Sequence, residues 1–494
     1  MRTKRAVWLS VFALVISLSS QERQASAQTL GPEVVPFIAI NEPVVVLQNV
    51  RVIDGTGAPV RDDYSVVIAE GRIIAIGPAD STPAPAGAKT LDYAGYTVIP
   101  GLVGMHDHLF YSASISMQRG ADGRLGEPGL IVNAIPYTAP RLYLAAGVTT
   151  VRTTGSIEPY TDLKVRRRID AGLMPGPRIF ATAPYLEGNG AFAAALHELD
   201  GPDDARRLVD YWVAEGMTSF KAYVNITRDQ LEAATRQAHR HGLKVTGHLC
   251  SVTWPEAIAA GIDNLEHGPV FTNTEFITDK RPDLCPRGMA QSESWQNVEI
   301  NSPRVNALIA NLVSHHVAVT STLPVFELNV MGRPPIQRRV LEAMSPGARE
   351  SYLTARASLA GIHAAPEAML RKEMQFEYAF AKAGGLLLAG SDPTGSGGVL
   401  PGFGNQREIE LLVEAGFTAV EAIQVATQNG ARFLGLEDQI GTIAPGKRAD
   451  IVVIKGDPAK DIAEIENVEI VFKDGVGYDS RKLIASVRGQ VGIR

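Results

Sequence analysis

The chain has 494 residues, of which 45% are apolar and 20% are charged, and its formal net charge is −6. This composition is typical of a globular protein with a sizeable core, and the negative charge argues against a nucleic-acid binder that relies on a basic surface. Two cysteines exclude a disulfide-built scaffold and a cysteine-rich zinc module. Apart from the N-terminus, no apolar run suggests a membrane-spanning helix, so we expect no membrane span in the processed chain.

The N-terminus has the layout of a secretory signal peptide. A positively charged head precedes an apolar run over residues 6–18, and a small-x-small cleavage pattern follows at residues 25–27. We therefore predict that residues 1–27 are removed and that the protein is periplasmic or secreted. An uncleaved anchor or a buried helix is the alternative, although the run is short for a span. Export would permit a disulfide between Cys250 and Cys285, but the sequence does not decide whether it forms.

Short β-like runs follow, and they return at the end of the chain. They are rich in β-branched residues and are separated by turn signals such as Asp54–Gly57. The predicted strands are residues 44–47, 64–68, 72–76, 441–443, 449–454 and 468–473. We expect residues 44–100 and 438–494 to pair into one small composite β-sandwich domain.

Between these segments, residues 101–437 alternate short apolar strands with helical stretches. The eight predicted strands are Gly101–His106, Val148–Thr153, Arg178–Ala183, Ser219–Tyr223, Lys244–His248, Asn264–His267, Val317–Thr322 and Leu386–Ser391. Helices are predicted at residues 228–241 and 255–260. The pattern indicates an α/β fold, a (β/α)8 TIM barrel. Residues 271–304 are polar and are predicted to form an irregular loop over a site.

Histidines end several of the predicted barrel strands. His106 and His108 are two positions apart on one strand, so their side chains share a face. His248, His267 and Asp392 end three further strands. Since the carboxyl ends of barrel strands meet at one mouth, these side chains are expected to converge. Imidazole and carboxylate groups together suit a divalent metal such as zinc.

Lys221 lies near the end of the fourth predicted strand. An ammonium group has three donors and no acceptor, so it cannot bind a cation in that form. The lysine must therefore be chemically modified, pair with an acidic substrate or point outward.

The order of these residues resembles the ligand order of the amidohydrolase superfamily. The residues concerned are His106-Asp107-His108, Lys221, His248, His267 and Asp392. Four further segments are similar to that family, namely Thr97–Val103, Ala145–Arg152, Leu400–Gly404 and Gly441–Asp450. Within the superfamily, the chain looks like the branch of binuclear metal-dependent hydrolases that contains Xaa-Pro dipeptidases and relatives of imidazolonepropionase.

The resemblance implies two divalent metal ions, with zinc as the expected metal, and a lysine carboxylated by carbon dioxide. The first metal would be held by His106, His108 and Asp392, the second by His248 and His267, with modified Lys221 bridging both. A bridging hydroxide would attack the substrate carbonyl. Asp392 would take its proton and pass it to the leaving nitrogen.

Three further residues are candidates for substrate binding. Tyr223 lies two positions after Lys221 and is predicted to donate a hydrogen bond to the developing oxyanion, unless it is only a wall residue. Arg152 could hold a substrate carboxylate or form a buried ion pair. His197 follows the third strand and could reach the pocket or lie on the surface.

The sequence thus predicts a metal-dependent hydrolase of a carbon–nitrogen bond in a small amide or peptide, either an Xaa-Pro-like dipeptide or an N-acyl amino acid. A cyclic-amide hydrolase similar to imidazolonepropionase, or a deaminase, is the alternative within the superfamily. A noncatalytic periplasmic binding protein is the alternative outside enzymes. A homo-oligomer is compatible with all three interpretations.

Overall fold

The computed structural model describes residues 30–110, 135–193, 195–286, 290–359, 365–394 and 398–492. The predicted signal peptide lies outside these residues and stays a prediction. Within them the fold is a mixture of helices and strands. None of the described helices is both long and apolar enough to cross a membrane.

The strands are short, and most of them are buried. In chain order they are β1 (Ile38–Ile40), β2 (Val44–Val52), β3 (Arg61–Ala69), β4 (Arg72–Pro78), β5 (Lys89–Asp92), β6 (Tyr96–Pro100), β7 (Leu102–Asp107), β8 (Val148–Thr153), β9 (Arg178–Phe180), β10 (Ser219–Ala222), β11 (Lys244–Gly247), β12 (Asn264–Glu266), β13 (Ala318–Ser321), β14 (Leu387–Ala389), β15 (Ile451–Lys455), β16 (Val468–Lys473) and β17 (Val476–Asp479).

Helices separate most of the central strands. They are α1 (Thr138–Ala145), α2 (Pro159–Asp170), α3 (Gly201–Glu215), α4 (Arg228–Arg240), α5 (Trp254–Ala259), α6 (Pro269–Thr272), α7 (Ala290–Trp295), α8 (Pro303–Ser314), α9 (Leu323–Glu327), α10 (Arg338–Ala343), α11 (Pro346–Ser358), α12 (Ala365–Lys382), α13 (Phe403–Glu414), α14 (Ala419–Gln424), α15 (Gly430–Phe433) and α16 (Ser480–Ala485). The predicted helices at 228–241 and 255–260 correspond to α4 and α5. Both begin with a threonine capping box, which satisfies free amide groups of the first turn.

The two ends of the chain share one mainly antiparallel sheet. Its strand order is β1-β17-β16-β15-β6-β2-β3-β4, with β5 paired to β2. The join is the antiparallel pair β6–β15, in which Ile99 lies opposite Val452. Buried apolar side chains from seven of these strands pack into one core. The expected pairing of the terminal segments is therefore present, whereas the sandwich arrangement and the domain bounds stay predictions.

One predicted strand of this region is wrong. Residues 441–443 form an irregular turn, in which Gly441 has φ +84° and Ile443 N donates a hydrogen bond to Asp54 O at 2.9 Å. The left-handed glycine interrupts the extended backbone that a strand requires.

The eight central strands form two parallel sheets in the predicted order. One has the order β7-β8-β9 and the other β10-β11-β12-β13-β14. A parallel bridge between Thr182 and Ser219 links the sheets on one side. On the other side, Ser391 N and Asp392 N donate to His106 O at 3.0 and 2.9 Å. Several strands are shorter than predicted, and His248 and His267, which were predicted as the last residues of their strands, lie just after them. Asp392 follows the end of β14, as predicted.

The polar stretch at 271–304 is more regular than its sequence suggested. Helix α7 lies inside it, and α6 and α8 overlap its two ends. Both overlapping helices carry proline in the first turn, where a missing amide hydrogen costs no helical hydrogen bond. A disulfide joins Cys250 to Cys285, with the Cα atoms 4.9 Å apart, and so ties this stretch to the loop after β11.

Three glutamates are fully buried behind the second parallel sheet. They are Glu373 and Glu377 on α12 and Glu408 on α13. One oxygen of each accepts a hydrogen bond, from Val270 N at 2.8 Å, Ser321 Oγ at 2.8 Å and Leu323 N at 3.0 Å respectively. The other oxygen of each has no hydrogen-bond partner among the described residues. Burial raises the pKa of all three carboxyl groups, that of Glu408 to about 8, so they are held as neutral acids.

We expect Glu408→Gln to become more stable relative to the wild type as pH rises. The unfolded carboxyl group loses its proton near pH ~4.3, but the folded one retains it up to about pH 8. The unfolded state therefore binds fewer protons in this window, and the wild type loses on the order of 4 kcal/mol of unfolding free energy across it. A neutral amide does not titrate. Denaturant unfolding between pH 5 and 8 tests this, with exposed Glu350→Gln as the control; a pH-independent difference would contradict it.

Candidate metal centre

Three predicted ligands converge at the carboxyl ends of β7 and β14. The donor atoms of His106, His108 and Asp392 all lie within 4.8 Å of one another. Asp392 Oδ1 is 3.5 Å from His106 Nε2 and 3.3 Å from His108 Nε2. All three residues are buried. Two imidazoles and a carboxylate converging in a buried position form a donor set that suits a divalent metal.

The other two histidines belong to the same cluster. The ring centroids of His106 and His267 are 4.4 Å apart, and those of His248 and His267 are also 4.4 Å apart. Lys221 Nζ lies 3.3 Å from His106 Nε2, so this lysine points into the cluster rather than outward. The structure therefore brings together all six residues that the resemblance proposed as metal ligands.

Two of these residues have a backbone conformation that is rare outside glycine. His267 has φ +69° and Asp392 has φ +46°. The left-handed region is costly for side chains with a Cβ atom and is found preferentially at functional sites. Hydrogen bonds hold both residues there, from His267 N to Thr320 O and from Asp392 N to His106 O, each at 2.9 Å. The turns after β12 and β14 direct the two side chains toward the mouth.

Outer hydrogen bonds hold the rings of three clustered histidines, and in His106 and His108 they leave Nε2 directed to Asp392. The Nδ1 atom of His106 lies 2.7 Å from Glu266 Oε2. That of His108 lies 3.2 Å from Gly155 O, and that of His267 lies 2.8 Å from Thr322 Oγ1. Metal-bound histidines characteristically use one ring nitrogen in this way, which fixes the tautomer and the ring orientation. The residues present thus fit a bound divalent metal.

The protonation states fit the same interpretation. Burial lowers the pKa of His106 to about 4 and that of His248 to about 3, so both imidazoles are neutral and keep a lone pair. Burial would raise the pKa of Asp392, but nearby His106, His108 and His267 hold it well below its ordinary value. Asp392 is therefore a carboxylate that can bind a cation or accept a proton.

Burial also lowers the pKa of Lys221, to about 8, against the opposing effect of Glu266 and Asp392. An amine with such a pKa is partly unprotonated near neutral pH and is then a nucleophile. Its Nζ atom also lies 5.3 and 5.5 Å from the ring centroids of Tyr185 and Tyr223.

Sequence reasoning missed Glu266, the last residue of β12. Its Oε2 atom contacts His106 Nδ1, and its Oε1 atom accepts hydrogen bonds from Arg152 at 2.7 Å and from Thr246. Burial alone would raise the pKa of Glu266, but Arg152 and His106 lower it to about 2. A charged carboxylate thus orients a predicted metal ligand. An acidic residue directly before the strand-end His267, in a fully buried strand, is the signal that could have revealed it.

The three substrate-binding candidates lie in different environments. Arg152 is buried and donates to Met105 O at 2.7 Å and to Glu266, which is the ion pair that the sequence left open. His197 is 52% exposed in its side chain and contacts Asp204 at 2.7 Å. Tyr223 alone lies at the cluster, with its ring 5.0 Å from that of His248. Burial raises the Tyr223 pKa, so its hydroxyl group remains a donor.

Comparison with known proteins agrees with this geometry. The Amidohydrolase family matches residues 97–476. The chain is 24% identical over 438 residues to a 5-methylthioadenosine/S-adenosylhomocysteine deaminase of Symbiobacterium thermophilum, covering 83% of this chain and 85% of that protein. It is 24% identical over 441 residues to an imidazolonepropionase of Sphingopyxis alaskensis, covering 82% and 89%.

Among solved structures, one similar fold is that of a Xaa-Pro dipeptidase with methionine bound in its active site. The TM-score is 0.63 at 22% identity, over 88% of this chain and all of that chain. The family match spans most of the chain, and the donor set lies inside the matched residues. The chain therefore belongs to the Amidohydrolase family and is a metal-dependent hydrolase.

Proposed function

We propose that this protein hydrolyses the carbon–nitrogen bond of a small amide, in a dipeptide of the Xaa-Pro type or in an N-acyl amino acid. The observation that carries the proposal is the placement of Lys221, whose amine lies 3.3 Å from a ligand histidine inside the cluster. A lysine there suits a binuclear centre, because its carbamate would supply the anion that two cations need between them. The fold shared with a Xaa-Pro dipeptidase supports the same substrate class.

The proposed site comprises two divalent metals, with zinc favoured by the donor types. The first metal would be held by His106, His108 and Asp392, and the second by His248 and His267. Carboxylated Lys221 would be a ligand of both metals. When bound, the metals supply Lewis acidity toward the substrate carbonyl and lower the pKa of water.

The protein's own residues would then move the proton and position the oxyanion. Asp392, an ionised carboxylate in contact with two ligand histidines, would accept a proton and deliver it to the leaving nitrogen. Tyr223, with its hydroxyl group protonated, would donate a hydrogen bond to the developing oxyanion. No Ser or Cys nucleophile is needed in this scheme.

We also propose that the two parallel sheets close into a (β/α)8 barrel over residues 101–437. The contacts that link them on both sides support this closure. Residues 44–100 and 438–494 would form the accompanying β-sandwich domain around their shared sheet. Export after removal of residues 1–27 completes the proposal.

A cyclic-amide hydrolase or a deaminase is the second candidate, since two full-length relatives bear those names. Deaminases of this superfamily that use one metal have no need of a bridging lysine, and Lys221 therefore favours the first candidate. The noncatalytic binding protein is not supported, because the family and its relatives are enzymes.

Metal content and a substrate screen test the proposal together. Protein reconstituted with zinc and bicarbonate should contain about two ions per chain, and chelation should abolish activity. Xaa-Pro dipeptides and N-acyl amino acids should be hydrolysed faster than imidazolonepropionate or adenosine derivatives. Full activity with one ion per chain, or turnover confined to imidazolonepropionate or adenosine derivatives, would favour a cyclic-amide hydrolase or a deaminase.

A further inference from the structure

A first group of aromatic rings stands beside His248. Tyr223 lies 5.0 Å from that histidine, between centroids, and 4.6 and 5.2 Å from Tyr185 and Phe192. Tyr185 is buried, whereas Tyr223 and Phe192 are half-buried and so keep part of their rings open. We call these three residues the first wall.

Backbone hydrogen bonds hold the first wall in place. Leu186 N donates to Lys221 O at 2.8 Å, and Tyr223 N donates to Leu186 O at 3.0 Å. Below them, the buried Glu187 carboxyl group accepts from Asn225 N at 2.7 Å and Gly188 N at 2.9 Å. The loop that carries Tyr185 is thus fastened to β10, which carries Lys221.

A second group of rings stands beside His267. The Phe326 ring is 5.7 Å from this histidine, and Phe271 stacks on Phe326 with centroids 3.7 Å apart and planes 4° from parallel. Both phenylalanines are half-buried. We call this pair the second wall.

Buried carboxyl groups fasten the second wall. Glu373 accepts from Val270 N in α6, next to Phe271, and Glu408 accepts from Leu323 N in α9, which carries Phe326. The same helix ends at Glu327, which is fully buried and pairs with two arginines. Hydrogen bonds therefore fix the backbone beside Tyr185, Tyr223, Phe271 and Phe326.

We infer that the substrate carries an aromatic or bulky apolar group beside the scissile carbon–nitrogen bond, packed against these walls. The inference rests on the proposed amide hydrolysis. His248 and His267 are neighbours in the ligand cluster, so a group held at either wall lies next to the reacting bond. Covering the open faces of half-exposed rings with an apolar substrate group lowers the free energy, because apolar surface is removed from water. Rings that already pack against neighbours lose little conformational entropy when the substrate binds.

Matched substrates test this on both sides of the bond. Phe-Pro against Ala-Pro places the ring on the acyl side, and N-acetylphenylalanine against N-acetylalanine places it on the amine side. The aromatic member should have a kcat/KM about tenfold higher or more in at least one series, as expected for burying one additional ring. Equal values in both series would overturn the inference.

Substitutions in the two walls show where the preference for an aromatic substrate arises. Phe326→Leu and Phe192→Leu should each lower kcat/KM for the preferred aromatic substrate about fivefold while changing that for its alanine counterpart less than about twofold. Tyr160→Leu, which alters a ring that is 44% exposed on α2, is the control and should change neither. Equal loss on both substrates in both wall variants would mean that the walls are structural only.

A binding measurement separates this inference from the proposed function. Calorimetric titration of the zinc-loaded wild type with N-acetylphenylalanine and N-acetylalanine requires no turnover. Tighter binding of the aromatic compound without hydrolysis of any amide would refute the proposed reaction and retain only the aromatic preference of the walls. Hydrolysis of amides without aromatic preference in rate or binding would support the proposed reaction and refute the inference.

Discussion

Lys221→Ala should lose at least one of the two metal ions and lower kcat by at least ~10²-fold. In the proposed binuclear site, removal of the lysine would leave two cations close together without a bridging anion, and their repulsion would be strong in a site shielded from water. The buried position of Lys221 and its lowered pKa make it suited to react with carbon dioxide, which an ammonium ion cannot do. Elemental analysis and steady-state rates on the same preparation measure both losses.

Short carboxylic acids provide the decisive control for Lys221→Ala. Acetate or propionate can occupy the vacated bridging position and should restore part of both the metal content and the rate. Lys221→Arg should not be rescued, because its guanidinium group fills the space, stays charged and cannot take up carbon dioxide. Lys244→Ala, at the opposite end of neighbouring β11, should keep both metals and the normal rate. If Lys221→Ala behaves like Lys244→Ala without added acid, the binuclear interpretation fails.

Asp392→Asn should lower kcat by at least ~10²-fold while the fold survives. The amide has nearly the same shape as the carboxylate but cannot accept the transferred proton. Asparagine tolerates the left-handed backbone that position 392 adopts, at φ +46°, so little new strain is expected. Thermal unfolding and kcat measured at saturating zinc test the two parts of this expectation.

Metal content must be measured for Asp392→Asn as well, because Asp392 also lies among the predicted metal ligands. A variant that keeps two ions but loses turnover assigns Asp392 to proton transfer. Asp263→Asn, which lies before β12 at the other end of the strands, is the matched control and should keep normal turnover. Near-normal kcat in Asp392→Asn would remove Asp392 from the mechanism.

The sequence by itself predicted the strand order of the central region and the convergence of its strand-end histidines with Asp392, whereas the ligand role of Lys221 came only from the family resemblance. The strand order and the strand-end residues depend on local signals, since side chains alternate along a strand and a polar residue at the end of an apolar strand stands out against its neighbours. His106 and His108 could be assigned to one face in this way. Strand ends were less accurate, because hydrogen bonding to neighbouring strands decides where each strand stops; β9 accordingly ends at Phe180.

Only the tertiary structure decided which polar groups pair and which surfaces face the site. His106 and Glu266 are 160 positions apart in the chain and become partners because β7 and β12 end at the same mouth. That pairing commits Arg152 to an internal ion pair, although its sequence position was equally compatible with substrate binding. The two aromatic walls likewise combine residues from separate loops and short helices, whose approach depends on nonlocal packing that local periodicity does not encode.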